Sequence, residues 1–305
     1  MNTPDFNTYM RRINTVFDVD AIIQRNLSLQ DTEDYYLQSN LGYLLFHSWR
    51  GAVHMALSDG KTFTASDYKR QIQLIATDIR QKSAHEILEL GMGKGYNLHH
   101  LAKLFDNHHF YALDYSALHA RQTKRHLRAY PQVHITRADF HHIPFVSQQF
   151  DYVFGIESIC HALNIKQVLQ SVYRVLRTGG YFALFDGFRI IPMQDLNAQE
   201  QIARHLVEKP LGVNEGTNIT EFIANAQAIG FKIVEIQDLS SNILPNLRRL
   251  QRLQTRFFPN TLALKLAHIL LPHYLLGNVI ASMLMPYMVE QGIQGYFKVI
   301  LQAEK

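Results

Sequence analysis

A single cysteine, Cys160, stands in 305 residues. It excludes an internal disulfide and a zinc site built on several cysteines, and a reducing compartment is the easier reading. Charge is equally sparse. Only 18% of residues are charged, and 30 basic against 26 acidic side chains leave a formal net charge of +4. A balance so weak and so mixed does not mark a nucleic-acid surface. Residues 1–20 (MNTPDFNTYMRRINTVFDVD) lack the continuous apolar stretch of a secretory signal, so a mature, cytoplasmic protein is expected. No internal repeat and no low-complexity linker divides the chain. Hydrophobic residues make up 47%, enough for a packed core, and the length suits one large domain or a core domain with an insertion. One apolar stretch, 269–289, approaches the length of a membrane span. Pro272, His273, Asn278 and Pro286 interrupt it, and two prolines suit one straight helix poorly. A helical lid over an apolar pocket is expected there, with docking at a membrane interface as the alternative and a true span as the least favoured reading.

Short apolar runs begin after residue 83, at 86–90, 109–113, 133–138, 152–156 and 181–185. Each is separated from the next by enough chain to hold a helix, the signature of βαβ units and a mostly parallel sheet. Residues 195–230 read as two helices broken at Lys209-Pro210-Leu211-Gly212. Residues 231–239 and 296–302 read as a closing strand pair. The expected organisation is therefore a helical N-terminal cover (1–80), an α/β core (81–240), an apolar helical insertion (241–294) and a final core strand (295–305).

The first run leads into Glu89-Leu90-Gly91-Met92-Gly93-Lys94-Gly95-Tyr96-Asn97. Its three glycines let the backbone turn sharply and approach a ligand closely. A dinucleotide-binding turn would place its third glycine one residue later, where Tyr96 stands. The compact spacing, with Glu89 before it, resembles the first motif of class I S-adenosylmethionine-dependent methyltransferases. The second run ends in Asp114, about twenty residues past the last glycine, where a carboxylate can accept both ribose hydroxyls; Ser116 competes with it as a helix cap. The third ends in Asp139-Phe140, which match that family's acid for the adenine amino group and its apolar ring neighbour. The fourth, Ile156-Glu157-Ser158-Ile159-Cys160-His161-Ala162, resembles the corresponding stretch of sterol C-methyltransferases and of tocopherol C-methyltransferases. Tyr35-Tyr36 and 49–55 resemble the aromatic N-terminal segment that covers the cofactor in this group. Residues 285–290 and 295–298 resemble the tocopherol-type C-terminus. Phe46-His47-Ser48-Trp49 departs from the acidic-aromatic run of the sterol enzymes.

The resemblance implies a Rossmann-like sheet with an antiparallel last strand and S-adenosylmethionine as cofactor. It implies cofactor contacts from Tyr35, Glu89, Gly91, Met92, Gly93, Gly95, Asn97, Asp114, Tyr115, Asp139, Phe140 and Ile156. It also implies an acceptor site near Tyr36, Trp49, His54 and Tyr287. Methyl transfer to an electron-rich carbon leaves positive charge on the acceptor and a proton to remove. Glu157 is expected to face that charge and His161 to act as base, although Glu157 could instead bind cofactor or cap a helix, and His161 could be a positioning residue. The favoured function is C-methylation of a lipophilic, isoprenoid-like small molecule. N- or O-methylation of a natural product is the alternative, ahead of nucleic-acid methylation or a non-catalytic cofactor-binding role. No metal is expected, because adjacent histidines such as His99-His100 point apart and sulfonium chemistry needs none. Residues 241–294 are expected to cap substrate, contact a membrane peripherally or form a homodimer interface; Arg248, Arg249, Arg252 and Arg256 beside them would suit a membrane surface.

Overall fold

The computed structural model describes residues 4–42, 48 and 51–305. Seven strands form one sheet in the order β3-β2-β1-β4-β5-β7-β6. They are β1 (Glu86–Leu90), β2 (His109–Asp114), β3 (Val133–Arg137), β4 (Phe150–Ile156), β5 (Leu176–Arg189), β6 (Phe231–Asp238) and β7 (Gln294–Ala303). The first five pair in parallel, and β7 runs antiparallel to both β5 and β6. Strand order reverses at β1 and β4, and open α/β sheets bind ligands at the carboxyl ends flanking such a reversal.

Four helices precede β1: α1 (Phe6–Val16), α2 (Val19–Gln24), α3 (Leu29–Gly42) and α4 (Arg70–Gln81). The crossovers hold α5 (Tyr96–Ala102), α6 (Ala117–His126) and α7 (Ile165–Val175). Then come α8 (Ala198–Glu208) and α9 (Ile219–Ile229) before β6, and α10 (Ser240–Phe257), α11 (Thr261–Leu270) and α12 (His273–Glu290) before β7. Local chemistry sets these boundaries. In α7, Asn164 caps the amide of Gln167, and Val168, Leu169, Val172 and Val175 are buried at helical spacing. Asn218 caps α9, and Gly230 ends it at φ 114°. The central strand β1 is buried from its second residue onward, as a strand covered on both faces must be.

Three hydrophobic clusters follow. One face of the sheet packs against α4, α5 and α10, through Ile72, Ile75, Leu98, Ile243 and Leu247. The other packs against α7 and α9. The third joins α1, α8, α11 and α12 away from the strands. Helix α4, expected in the N-terminal cover, is thus part of the sheet's own packing, and residues 51–64 between the cover and α4 hold no helix. The apolar stretch at 269–289 is not one helix: Leu271 ends α11 and Pro272 starts α12. No described helix is long and apolar enough to cross a membrane.

Helix α7 stops at Val175, with Leu176 extended, so Gly179-Gly180 lie beyond its end. The pair lies within β5, where Leu176 faces Phe150 and Tyr181 faces Tyr152. Five residues of β5 there match two of β4, and Gly179 at φ 79° absorbs the excess as a bulge.

Candidate active site

The turn after β1 is built from within the protein. The amides of Gly91 and Met92 both donate to the Leu113 carbonyl of β2, at 2.9 and 3.2 Å. Gly91 has φ 68°, and a Cβ there would lie 2.5 Å from Ser158 Cβ. Gly95 has φ 75°, and its Cβ would meet Thr123 Cγ2 at 2.5 Å. Both positions therefore need glycine on grounds of backbone and of packing. Between them the Gly93 amide donates to Asp114 Oδ2 at 2.8 Å, and the Ser116 amide donates to Asp114 Oδ1 at 2.8 Å. Ser116, not Asp114, caps α6.

S-adenosylmethionine fits these residues. A carboxylate accepts about four hydrogen bonds, so Asp114 retains capacity for two ribose hydroxyls beyond its two backbone amides. Glu89 and Asn97 flank the turn; Asn97 Nδ2 donates to Glu89 Oε1 at 2.8 Å. Glu89 Oε2 and Asn97 Oδ1 are buried without a protein partner. Burial lifts the Glu89 carboxyl to about 8. Asp139 Oδ1 takes the amide and ring Nδ1 of His141, at 2.9 and 2.6 Å. Phe140 packs its ring beside His141.

The end of β4 supplies the next group. Glu157 has φ 47°, a left-handed conformation rare for a side-chain-bearing residue. The Phe185 carbonyl holds its amide at 2.8 Å, and Glu157 Oε1 accepts from the Met55 amide at 2.6 Å. It does not cap a helix. Burial raises its carboxyl to about 8. His161 is half-buried, and loss of water lowers its basicity. Its Nδ1 lies 3.0 Å from the Gly212 carbonyl, which can only accept, so Nδ1 carries the proton and Nε2 accepts from the Tyr36 hydroxyl at 2.8 Å. The Tyr36 ring meets His119 edge-on, and His119 Nδ1 is 3.5 Å from Asp114. Tyr36 therefore lies between His161 and the His119–Asp114 pair.

These groups open onto a cavity of about 600 Å³ lined by Tyr36, Glu157, His161 and Val53 and by apolar side chains of α10 and α12. Val53 sits against the glycine turn, 3.6 Å from where a Gly93 Cβ would stand. Tyr35 lines the same cavity and donates to Asn278 of α12 at 2.8 Å, so it faces α12 more than the glycine turn. A polar patch of Arg189 and Glu208, paired at 2.5 and 2.8 Å, interrupts the apolar lining.

Asp186 and Tyr296 complete the lining and were missed in the sequence. Asp186 accepts the amides of Ile159, Cys160 and Gly187 at 2.9–3.2 Å, yet burial still lifts it to about 6. Tyr296 faces Glu157, and burial pushes its phenol well above the usual range. The visible signal was an acid inside the apolar run Tyr181–Phe188.

Other expected contacts lie elsewhere. The Met92 and Ile156 side chains are in the core beneath the sheet's ligand edge. Tyr115 is exposed, and its carbonyl accepts from Arg137. His54 is buried against Tyr68 and Tyr96, outside the cavity, and burial lowers it to about 4. Tyr287 turns away altogether: its ring stacks on Phe6 at 3.9 Å and its hydroxyl donates to Glu200. The reason is α12's Phe6-facing side, which belongs to the third cluster. Trp49 lies outside the described residues. Among the described residues no group of three His, Cys, Asp or Glu side chains could hold a metal ion.

Comparison with known proteins agrees with this geometry. Residues 87–180 match the methyltransferase domain family. The chain is 26% identical over 217 residues to a sterol 24-C-methyltransferase of Neurospora crassa, covering 68% of this chain and 55% of that protein. It is 24% identical to the cycloartenol-C-24-methyltransferase of Arabidopsis thaliana, covering 64% of this chain and 59% of that one. The chain thus spans just over half the length of these curated relatives. A cyclopropane synthase of Mycobacterium tuberculosis shares the fold with a TM-score of 0.74 at 13% identity, over 92% of this chain and 99% of that one. A geranyl diphosphate C-methyltransferase of Streptomyces coelicolor does so with 0.59 at 14%, over 90% and 97%. The chain thus carries a methyltransferase domain at 87–180, is similar in sequence to the sterol C-methyltransferases, and shares its fold with these solved structures.

Proposed function

We propose that this protein transfers a methyl group from S-adenosylmethionine to a carbon of a lipophilic, isoprenoid-like acceptor. The observation that carries the reading is the cavity itself: a large apolar space whose wall holds the Glu157 and Asp186 carboxyls and a tyrosine–histidine pair, beside the glycine turn. The similarity to sterol C-methyltransferases supports it. A membrane contact through 241–294 would supply such an acceptor from its own solvent.

Bound cofactor supplies an electrophilic methyl on a sulfonium. The protein's residues do the rest. The cavity walls hold the acceptor's double bond and exclude water from the cation that attack creates. Asp186 faces that cation as a carboxylate and Glu157 as the dipole of a neutral carboxyl, together with the rings of Tyr35, Tyr36 and Tyr296. The cation's neighbouring carbon then releases its proton to the Tyr36 oxygen as the Tyr36 proton moves to His161 Nε2. The Gly212 carbonyl holds the resulting imidazolium through Nδ1–H. His161, kept neutral by burial, is ready for this role at neutral pH.

Incubation with methyl-labelled cofactor and a sterol or prenylated phenol tests the scheme. The expected product carries the label on carbon. Tyr36→Phe should lower kcat by about 10²–10⁴ as for a lost general base, with cofactor affinity retained. Label on oxygen or nitrogen alone, or a Tyr36→Phe enzyme with full kcat, would contradict it.

A further inference from the structure

Helix α11 presents two unlike faces. Leu264 and Ala267 are buried in the cluster shared with α1 and α12, and His268 stacks on Phe17 at 4.9 Å. The opposite face carries Leu262, Leu266, Ile269 and Leu270, between 53% and 79% exposed. They recur at i, i+4, i+7 and i+8, so they form one stripe. A stripe of four large aliphatic side chains in water is not needed to hold α11 in place.

The charges within the insertion itself have one sign. From 240 to 289 the chain has no Asp or Glu, while it carries Arg248, Arg249, Arg252, Arg256 and Lys265. Arg252, Arg256 and Lys265 are exposed, and Arg248 pairs with Glu290, just beyond the stretch. On the segments packed against α11, exposed Arg11 and the α1 cap Asp5 offset each other, and exposed Asp18 lines a small pocket with His268. The cavity also ends here. Phe257 and Phe258, just before α11, and Leu271, just after it, line the cavity, and Phe257 is itself exposed. Residues at both ends of the apolar helix therefore line the apolar cavity.

We infer that α11 is a docking helix for an anionic lipid bilayer, its aliphatic stripe entering the interface while Arg252, Arg256 and Lys265 meet acidic headgroups. The acceptor then passes from the bilayer into the cavity between Phe257 and Leu271 without crossing water. This last step rests on the lipophilic-acceptor reading; the docking does not. An amphipathic helix with flanking cations has the chemistry of an interfacial anchor.

The test is flotation of the full-length protein with vesicles of phosphatidylcholine alone or with about 30% phosphatidylglycerol, the anionic fraction that basic segments discriminate. The wild type should float with the anionic vesicles and do so less in high salt, because headgroup attraction is screened. The Leu266→Asp/Ile269→Asp double variant changes only exposed positions, and circular dichroism should show an unchanged fold. It should bind at least about tenfold more weakly, since charges in an interfacial apolar face are strongly disfavoured. It should still match the wild type in methyl transfer to an acceptor presented in detergent micelles. A wild type that does not float, or a variant that floats equally, overturns the docking. So does concentration-dependent self-association that the variant abolishes without any vesicle binding, because the stripe would then seat a second copy. Docking that persists while no lipophilic acceptor is methylated, in micelles or vesicles, leaves the membrane surface standing and removes the functional reading instead.

Discussion

Burial decides the charge of the carboxyls around the site before any ligand arrives. Glu89 and Glu157 are both lifted to about 8, chiefly by loss of water, so both are protonated at neutral pH. For Glu157 the folded value lies above the unfolded one, near 4.5. Its contribution to stability is complete below pH 4.5 and is lost as pH rises towards 8. At about 1.4 kcal/mol per pH unit over roughly three and a half units, the loss is on the order of 5 kcal/mol. Glu157→Gln keeps an acceptor for the Met55 amide and removes the titration. Its melting temperature relative to wild type should therefore climb between pH 5 and pH 9, by about 5 °C or more for a chain of this size. Equal melting differences at both pH values would mean that Glu157 ionises freely in the folded protein. Sequence alone pointed to Glu157, Asp114 and His161, because each follows a short strand whose end chain order fixes. Asp186 and Tyr296 were not legible. They meet the site through the antiparallel register of β5 on β7, where Gly187 faces Tyr296 and Asp186 faces Phe297. That register joins residues more than a hundred positions apart, and no local pattern encodes it.

Elements were legible where one periodicity governs them. Each parallel strand appears as a short apolar run because helices cover both faces of the sheet. Strand β5 was read short, since pairing extends it at both ends, from Phe150 opposite Leu176 to Gln294 opposite Arg189. The irregular segment at 51–64 was read as helix because its apolar residues are buried through contacts with distant elements, such as Leu57 in the sheet cluster. The glycine turn shows how two elements lock together. Thr123 of α6 donates to the Gly93 carbonyl at 3.0 Å while its methyl occupies the space a Gly95 side chain would need. Gly95→Ala should therefore destabilise by about 2–4 kcal/mol, combining positive-φ strain with overpacking. Adding Thr123→Ser removes the clashing methyl and keeps the hydroxyl, so it should recover about 1 kcal/mol in urea melts. Strictly additive losses in the double variant would show that the two residues do not compete for that space.

At the scale of the molecule, one helical cover touches both halves of the site. From α3, Glu33 accepts the amide of Ala117 at the start of α6, Tyr36 binds His161, and Tyr35 binds Asn278 of α12. The cofactor side and the acceptor side are thus closed by the same element, and the insertion of α10–α12 roofs the cavity between them. The sequence revealed that insertion through its apolar composition, but not the exposed stripe of α11, which depends on which helical face packs inward. The central claim is that this cavity selects acceptors by apolar bulk, and a series of prenylated phenols with one to four isoprene units tests it most directly. With each buried methylene worth about 0.8 kcal/mol, kcat/KM should rise at least about tenfold per added unit until the cavity is full, then level off. Values of kcat/KM that ignore chain length, or faster turnover of small polar amines than of any member of the series, would contradict the account.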